Sequence, residues 1–184
     1  MEEKSYSKNK KSKMNHYTRL IIALIVLLGI AGSFILYLSW PLLTGTTIVL
    51  ATRPVDPFDP FRGQYMTINY EISTVPAIED AKPGDKVYVA LNPDEDGIWR
   101  MEQATLTKPD QGIFIRGIFR RTFDDSMRLE FGIEQFFFER NADVPTRNIT
   151  VEAKVDSFGQ ARIVNLLQNS KPVEIEYKPV KLTS

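Results

Sequence analysis

The chain has 184 residues, no cysteine, and 23 basic against 23 acidic side chains. This length suffices for one ordinary domain and a membrane anchor. The lack of cysteine excludes disulfides, zinc–thiolate sites, thiol nucleophiles and a lipidated cysteine. The only histidine, His16, lies near the N-terminus. We therefore expect no Ser/His/Asp triad, no histidine metal site and no cofactor in the main domain.

Residues 1–19 are expected to form a basic cytoplasmic tail. Two acidic residues, Glu2 and Glu3, are outnumbered there by six basic ones, namely Lys4, Lys8, Lys10, Lys11, Lys13 and Arg19. The rest of the chain therefore carries a mild acidic excess. A nucleic-acid-binding domain usually has a basic face, so nucleic acid is not an expected partner.

Residues 20–43 are predicted to be a transmembrane signal-anchor helix held in the lipid bilayer. The run LIIALIVLLGIAGSFILYLSWPLL contains no charged residue, and about 20 apolar residues are enough to cross a bilayer. Tyr37 and Trp40 suit an outer aromatic belt, and Pro41 indicates where the helix can stop. The preceding lysines predict a cytoplasmic N-terminus and an extracytoplasmic domain over residues 44–184.

A cleaved signal peptide is the alternative interpretation of this segment. Ala31-Gly32-Ser33 and Thr44-Gly45-Thr46 offer the small residues that a signal peptidase accepts. The apolar core of a signal peptide spans only about 7–15 residues, and this run is longer. The sequence therefore favours a retained anchor.

Residues 44–184 are predicted to form one compact, mainly β domain. Prolines and glycines separate short runs that alternate in polarity or are rich in β-branched and aromatic residues. Turns are expected at Pro83-Gly84-Asp85, Asp96-Gly97, Asp110-Gln111-Gly112 and Phe158-Gly159. The predicted strands are Thr46–Ala51, Tyr65–Ile72, Lys86–Leu91, Ile98–Leu106, Ile113–Phe119, Met127–Phe131, Ile149–Val155, Ala161–Leu166 and Val173–Tyr177.

Three consecutive aromatic residues, Phe136-Phe137-Phe138, follow the sixth of these runs. Alternate side chains of a strand point to opposite faces, so all three cannot share one face. Either this is an inner strand covered on both faces, or part of it is an exposed aromatic contact surface.

The most unusual segment runs from Arg53 to Tyr65 and contains three prolines at three-residue spacing. Proline fixes its own φ and keeps the preceding residue out of the α region, which predicts a stiff, extended segment. Asp56 and Asp59 each precede a proline, and Arg62 follows. These charges either brace the turn by local hydrogen bonds and ion pairs or contact a ligand or partner.

The residues that follow, Gly63-Gln64-Tyr65-Met66-Thr67-Ile68-Asn69-Tyr70, resemble the signature of the GDYXXLXY family of bacterial membrane-anchored proteins. The preceding Pro54-Val55-Asp56-Pro57-Phe58-Asp59 and Arg62-Gly63 fit the same pattern. So do Gly132-Ile133-Glu134, the acid Glu139 and the later Gly159-Gln160-Ala161. Gln64 replaces the aspartate of the family signature, and Ile68 replaces its leucine.

The resemblance implies a single-pass membrane protein whose partner is a polytopic membrane protein. The candidate partner or ligand residues are Asp56, Asp59, Arg62, Gln64, Tyr65 and Tyr70. The favoured function is a non-enzymatic accessory or binding module of the bacterial cell envelope. The alternative is a cell-envelope hydrolase with a carboxylate pair drawn from Asp56, Asp59, Glu134 and Glu139.

Overall fold

The computed structural model describes residues 15–53, 65–137, 142–143, 148–174 and 176–177. The chain divides into two compact units, Met1–Ser39 and Trp40–Ser184. One helix, α1 (His16–Thr44), contains the predicted span and continues three residues beyond Pro41. It is long and apolar enough to cross a membrane, with a mean hydropathy of 2.7 in its most apolar stretch, none of which is buried. An apolar helix with no buried face is typical of a membrane segment or a signal sequence.

The rest of the described chain is built from strands, which confirms the predicted fold class of one N-terminal helix and a β-rich domain. A single 3-10 turn, Glu71–Ser73, interrupts them. The strands are β1 (Thr46–Arg53), β2 (Tyr65–Thr67), β3 (Asn69–Tyr70), β4 (Thr74–Pro76), β5 (Lys86–Pro93), β6 (Trp99–Thr105), β7 (Ile113–Phe123), β8 (Ser126–Glu130), β9 (Gln135–Phe137), β10 (Ala142–Asp143), β11 (Ile149–Val155), β12 (Ala161–Gln168), β13 (Lys171–Pro172) and β14 (Glu176–Tyr177).

Ten of these strands form one sheet, in the order β13-β12-β11-β1-β6-β5-β7-β8-β4, with β3 added to β1. β1 is central: it pairs antiparallel with β11 over six residue pairs and parallel with β6 at Leu50 and Trp99. The consecutive strands β7 and β8 form a hairpin across the turn at Asp124 and Asp125. Two smaller ladders, β2 with β9 and β10 with β14, complete the described strands.

Alternating side chains build the core on one face of this sheet. In β11 every second residue from Ile149 to Val155 is buried, as the apolar alternation predicts. The same pattern holds in β5, where Val87, Val89 and Leu91 are buried. The apolar residues of β1, β5, β7, β8 and β11 meet in one cluster, so the described strands share a single core.

The sheet curls until the turn between β11 and β12 meets β7. The amide of Arg116 donates to the carbonyl of Gly159 at 2.8 Å. Gly159 has φ +76°, and a Cβ at this position would lie 2.8 Å from the ring of Phe114. Only glycine fits this positive φ and this close approach without strain, so Gly159 helps to close the curled sheet.

Two predicted strands are wrong in detail. The run Tyr65–Ile72 is two short strands and part of a 3-10 turn, because β2 pairs with β9 whereas β3 pairs with β1. The run Val173–Tyr177 also differs: Val173 and Glu174 are not part of a strand, and the strand β14 at its end, Glu176–Tyr177, pairs with β10. Within Tyr65–Ile72 the chain changes its hydrogen-bonding partner, which ends one ladder and begins another.

The aromatic run is partly exposed. Phe136 packs against the core, whereas the next residue, Phe137, is 70% exposed. An inner strand covered on both faces is therefore the wrong alternative for residues 135–137. Phe138 lies outside the described residues.

Candidate functional site

The segment that carries the signature residues pairs with the segment around Glu134. β2 and β9 run antiparallel, with Met66 opposite Phe136 and Thr67 opposite Gln135. The amide of Ile68 then donates to the carbonyl of Glu134 at 2.6 Å. Two stretches that are more than 60 residues apart in sequence therefore form one local structure.

Tyr70 fixes this structure from inside the core. Its side chain is fully buried, and its hydroxyl donates to the carbonyl of Ile133 at 2.6 Å. Burial, and secondarily the Glu134 carboxylate, raises the pKa of the Tyr70 hydroxyl. Tyr70 thus remains a neutral hydrogen-bond donor at neutral pH and joins β3 to the loop before β9.

Glu134 stabilises the same loop through its carboxylate group. One carboxylate oxygen accepts from the amide of Phe131, and the other accepts from the amide of Gly132 at 2.8 Å. Gly132 has φ +80°, a conformation that glycine adopts without strain. The carboxylate therefore satisfies two backbone donors of a tight turn that hydrogen bonds within the strands leave unpaired.

A pocket of about 440 Å³ opens beside Glu134. Its walls come from β2, from the β7–β8 hairpin and from the start of β9. The lining residues are Thr67, Arg120, Arg121, Arg128, Leu129, Glu130, Gly132, Glu134 and Gln135. The pocket is therefore basic, with three guanidinium groups and two carboxylates.

Comparison with known proteins identifies the family. Residues 27–166 match the family described as GDYXXLXY protein, which covers more than half of the chain. The chain belongs to the GDYXXLXY family. No curated protein and no solved structure matches it.

Most of the candidate site residues of this GDYXXLXY protein lie where the structure says nothing about their side chains. Asp56, Asp59, Arg62 and Gln64 fall outside the described residues. The backbone of Tyr65 is described and pairs with Phe137 in the β2–β9 ladder. Tyr70 is in the core, so its contribution to any contact surface is to hold the signature strands in place.

Of the four carboxylates proposed for the alternative hydrolase site, the structure describes one. Asp56, Asp59 and Glu139 lie outside the described residues. Glu134 is described, and both its oxygens already accept backbone hydrogen bonds. Within the described ranges, no group of three or more His, Asp and Glu side chains is arranged to hold a metal ion.

A second polar cluster links the 3-10 turn to the β5–β6 hairpin. Arg100 donates to Asp94 and to Glu71, each at 2.7 Å. Asp94 also accepts from the amides of Asp96 and Ile98, which confirms the predicted Asp-Gly hairpin turn. The Arg100 guanidinium, with these amides, holds the pKa of Asp94 below its usual value. The cluster is solvent-exposed and therefore contributes little to stability.

Sequence reasoning missed Arg121 and Arg128 in the basic pocket. A signal was present, because these residues are equally distant from the Asp124-Asp125 turn and a tight hairpin sets them opposite each other. The Arg120-Arg121 pair does not by itself indicate a basic site, because it is a short cluster within an electrically balanced chain.

Proposed function

We propose that this GDYXXLXY protein is a membrane-anchored, extracytoplasmic accessory or binding module of a bacterial cell envelope. The observation that carries the proposal is the helix His16–Thr44, whose most apolar stretch is unburied and which is the one helix in the described residues long and apolar enough to span a membrane, followed by a separate β unit. A protein of this organisation presents its folded unit at a membrane surface. The lysines ahead of the helix support a cytoplasmic N-terminus and an outer location for the β unit.

The partner that we propose is a polytopic membrane protein, contacted through Asp56, Asp59, Arg62, Gln64 and Tyr65. Both flanks of this segment are tied into the β unit. Arg53, at the end of β1, pairs with Asn69, and Tyr65, at the start of β2, pairs with Phe137. Proline-rich segments with fixed ends lose little conformational entropy on binding, which favours a contact role for the charges between them.

The membrane topology is tested by protease accessibility of a C-terminal tag. Protease added outside intact spheroplasts should digest the tag, whereas a tag at the N-terminus should be digested only after lysis. Protection of the C-terminal tag in intact spheroplasts would contradict the orientation. A mature N-terminus after about residue 33 or 46 would show a cleaved signal peptide instead of a retained anchor.

The proposed partner segment is tested by crosslinking the full chain in its own membrane. Asp59→Asn and Arg62→Gln should each weaken capture of the partner by about 30-fold or more, because loss of one member of a desolvated charge pair costs about 2–5 kcal/mol. Lys171→Gln, on the exposed strand β13, is the control and should leave capture unchanged. Unchanged capture in both segment variants, with a lower thermal midpoint, would assign these charges to turn structure.

A further inference from the structure

The β7–β8 hairpin contains a bulge that determines which way its arginines point. Phe119 is opposite Leu129, and Arg121 is opposite Arg128, so Arg120 is an extra residue on β7. Phe119 and Leu129 are buried, whereas Arg120 and Arg121 are both exposed. Strict alternation would turn one of the two arginines towards the core. The bulge keeps both on the outer face, and bulges often redirect side chains in this way beside functional sites.

Arg121 and Arg128 are directly opposed across this hairpin. Like charges at opposed positions destabilise a sheet, so the pair is unfavourable unless an anion lies between or beside them. The Arg121 guanidinium lies 4.4 Å from the centroid of the Phe123 ring, a contact that orients the side chain without neutralising its charge. Arg128 is partly buried and has no hydrogen bond or ion pair to any described residue.

The carboxylates nearest to this pair, Glu130 and Glu134, form no ion pair with Arg121 or Arg128. Glu130 forms an ion pair with Arg120. Glu134 attracts Arg128 electrostatically, but its oxygens accept the amides of Phe131 and Gly132. Burial, together with the charges of Arg121 and Arg53, lowers the pKa of Arg128 despite Glu134. Among the described residues, these two guanidinium groups thus have no acid bonded to them on one wall of the pocket.

The pocket has room and further donors for a small anion. Its volume is about 440 Å³, and its lining includes Thr67 and Gln135, which are paired across β2 and β9 and carry a hydroxyl and an amide. Guanidinium groups bind carboxylate and phosphate oxyanions through paired N–H donors, and a phosphate has enough oxygens to accept from two arginines at once.

We propose that Arg121 and Arg128 form a binding site for a phosphate group in the pocket between the β7–β8 hairpin and β2. The group is either free phosphate or the phosphate of an anionic lipid headgroup, since both present the same oxyanion to the arginines. The site is built from the described residues of the β unit. It depends neither on the membrane topology nor on the partner segment, so either proposal can fail without the other.

The test is a calorimetric titration of the full chain in a nonionic detergent, with chloride keeping the ionic strength constant. One arm uses inorganic phosphate. The other uses short-chain phosphatidylglycerol below its micelle concentration. Saturable binding of at least one probe is expected, and the probe that binds more tightly identifies the source of the phosphate group. Absence of saturable binding in both arms would overturn the proposal.

Three variants decide whether the arginines carry the binding. Arg128→Gln and Arg121→Gln should each weaken binding by about 10- to 100-fold, the range expected when a charge-assisted hydrogen bond is removed. Arg162→Gln makes the same charge change on β12, outside the pocket, and should bind as the wild type does. Equal affinity in all four proteins would overturn the proposal.

A thermal measurement keeps the proposal testable for a variant that folds poorly. A ligand present at about 100 times its Kd stabilises the folded state measurably, so phosphate should raise the thermal midpoint of the wild type and of Arg162→Gln. It should not raise that of Arg121→Gln, whose exposed side chain makes misfolding unexpected. An equal rise in all proteins would assign the effect to the salt and contradict the site.

Discussion

The two sides of Glu134 differ in how their polar groups are satisfied. On the inner side, the Tyr70 hydroxyl, the Ile133 carbonyl and the amides of Phe131 and Gly132 all have hydrogen-bond partners within the chain. On the outer side, Arg121 and Arg128 oppose each other, and no acid in the described part of the chain is bonded to either. Satisfied buried groups stabilise a fold, whereas clustered unsatisfied charges reduce its stability and favour a ligand. The inner side therefore explains the structure of the signature segment, and the outer side is the better candidate for binding.

The sharpest test of the inner side is removal of the Tyr70 side chain. Tyr70→Ala should lower the free energy of unfolding by about 3–5 kcal/mol, because it empties a fully buried aromatic site. The measurement is urea denaturation of the full chain in nonionic detergent, followed by circular dichroism. Phe137→Ala, at the exposed position next to Phe136, is the control and should change stability much less. Similar losses in the two variants would contradict the assignment of Tyr70 to the core.

Tyr70→Phe separates the hydroxyl from the ring. The Ile133 carbonyl would lose its donor, which should lower stability by about 1–3 kcal/mol. The effect should depend on pH. Because the pKa of Tyr70 is raised above the unfolded value of about 10, the contribution of its neutral hydroxyl is complete below that pH and decreases as the pH rises further.

Above about pH 10, the free energy of unfolding of the wild type should therefore decrease more steeply than that of Tyr70→Phe, by up to about 1.4 kcal/mol per pH unit. Urea midpoints of both proteins between about pH 8 and pH 11 provide the measurement. Parallel curves would mean that the hydroxyl ionises in the folded state as easily as in the unfolded chain.

Replacement of Glu134, which lies between the two sides, tests its structural role. Glu134→Gln keeps the shape but leaves a single oxygen for the amides of Phe131 and Gly132, which should lower stability by about 1–2 kcal/mol. Glu102→Gln, whose carboxylate bonds only the exposed Asn92 side chain, is the matched control. If the control variant lost as much stability as Glu134→Gln, Glu134 would have no special structural role.

The smallest effect is expected on the outer side. In phosphate-free buffer, Arg121→Gln should raise stability by up to about 0.5 kcal/mol, because it removes the repulsion with Arg128. The urea midpoint, compared with that of Arg162→Gln, measures the change. A destabilisation above about 1 kcal/mol would mean that Arg121 has a structural function, for instance through its contact with Phe123.

Apolar alternation predicted burial well but predicted pairing poorly. Met66, Ile68, Tyr70 and Ile72 alternate in the sequence, and all four are buried. They nevertheless belong to two ladders and a 3-10 turn, because alternation reports only which face of the chain meets the core. By contrast, Ile149–Val155 was predicted with the correct bounds, since it keeps its alternation throughout and pairs with β12 over all seven of its residues and with β1 over six.

The sequence predicted where along the chain the signature segment lies but not which residues it contacts. The signature residues indicated the stretch around Tyr70, but the bond from Tyr70 to Ile133 spans 63 positions and leaves no local pattern. The opposition of Arg121 and Arg128 could be predicted from their equal distance to the Asp124-Asp125 turn, but the bulge at Arg120 becomes visible only when the partner strand of β7 is known.

The position of β1 in the sheet imposes an order on the folding of the nascent chain. Ile48 pairs with Ala153, 105 positions later, whereas β5, β6, β7 and β8 pair with their near neighbours in sequence. Ribosomes synthesise the N-terminal strand first, so β1 has no long ladder until almost the whole chain has emerged. During that interval it is an unprotected edge that other chains can pair with. A chain truncated before Ile149 would keep this edge permanently, and we expect it to aggregate or to be degraded even though its central hairpins can form.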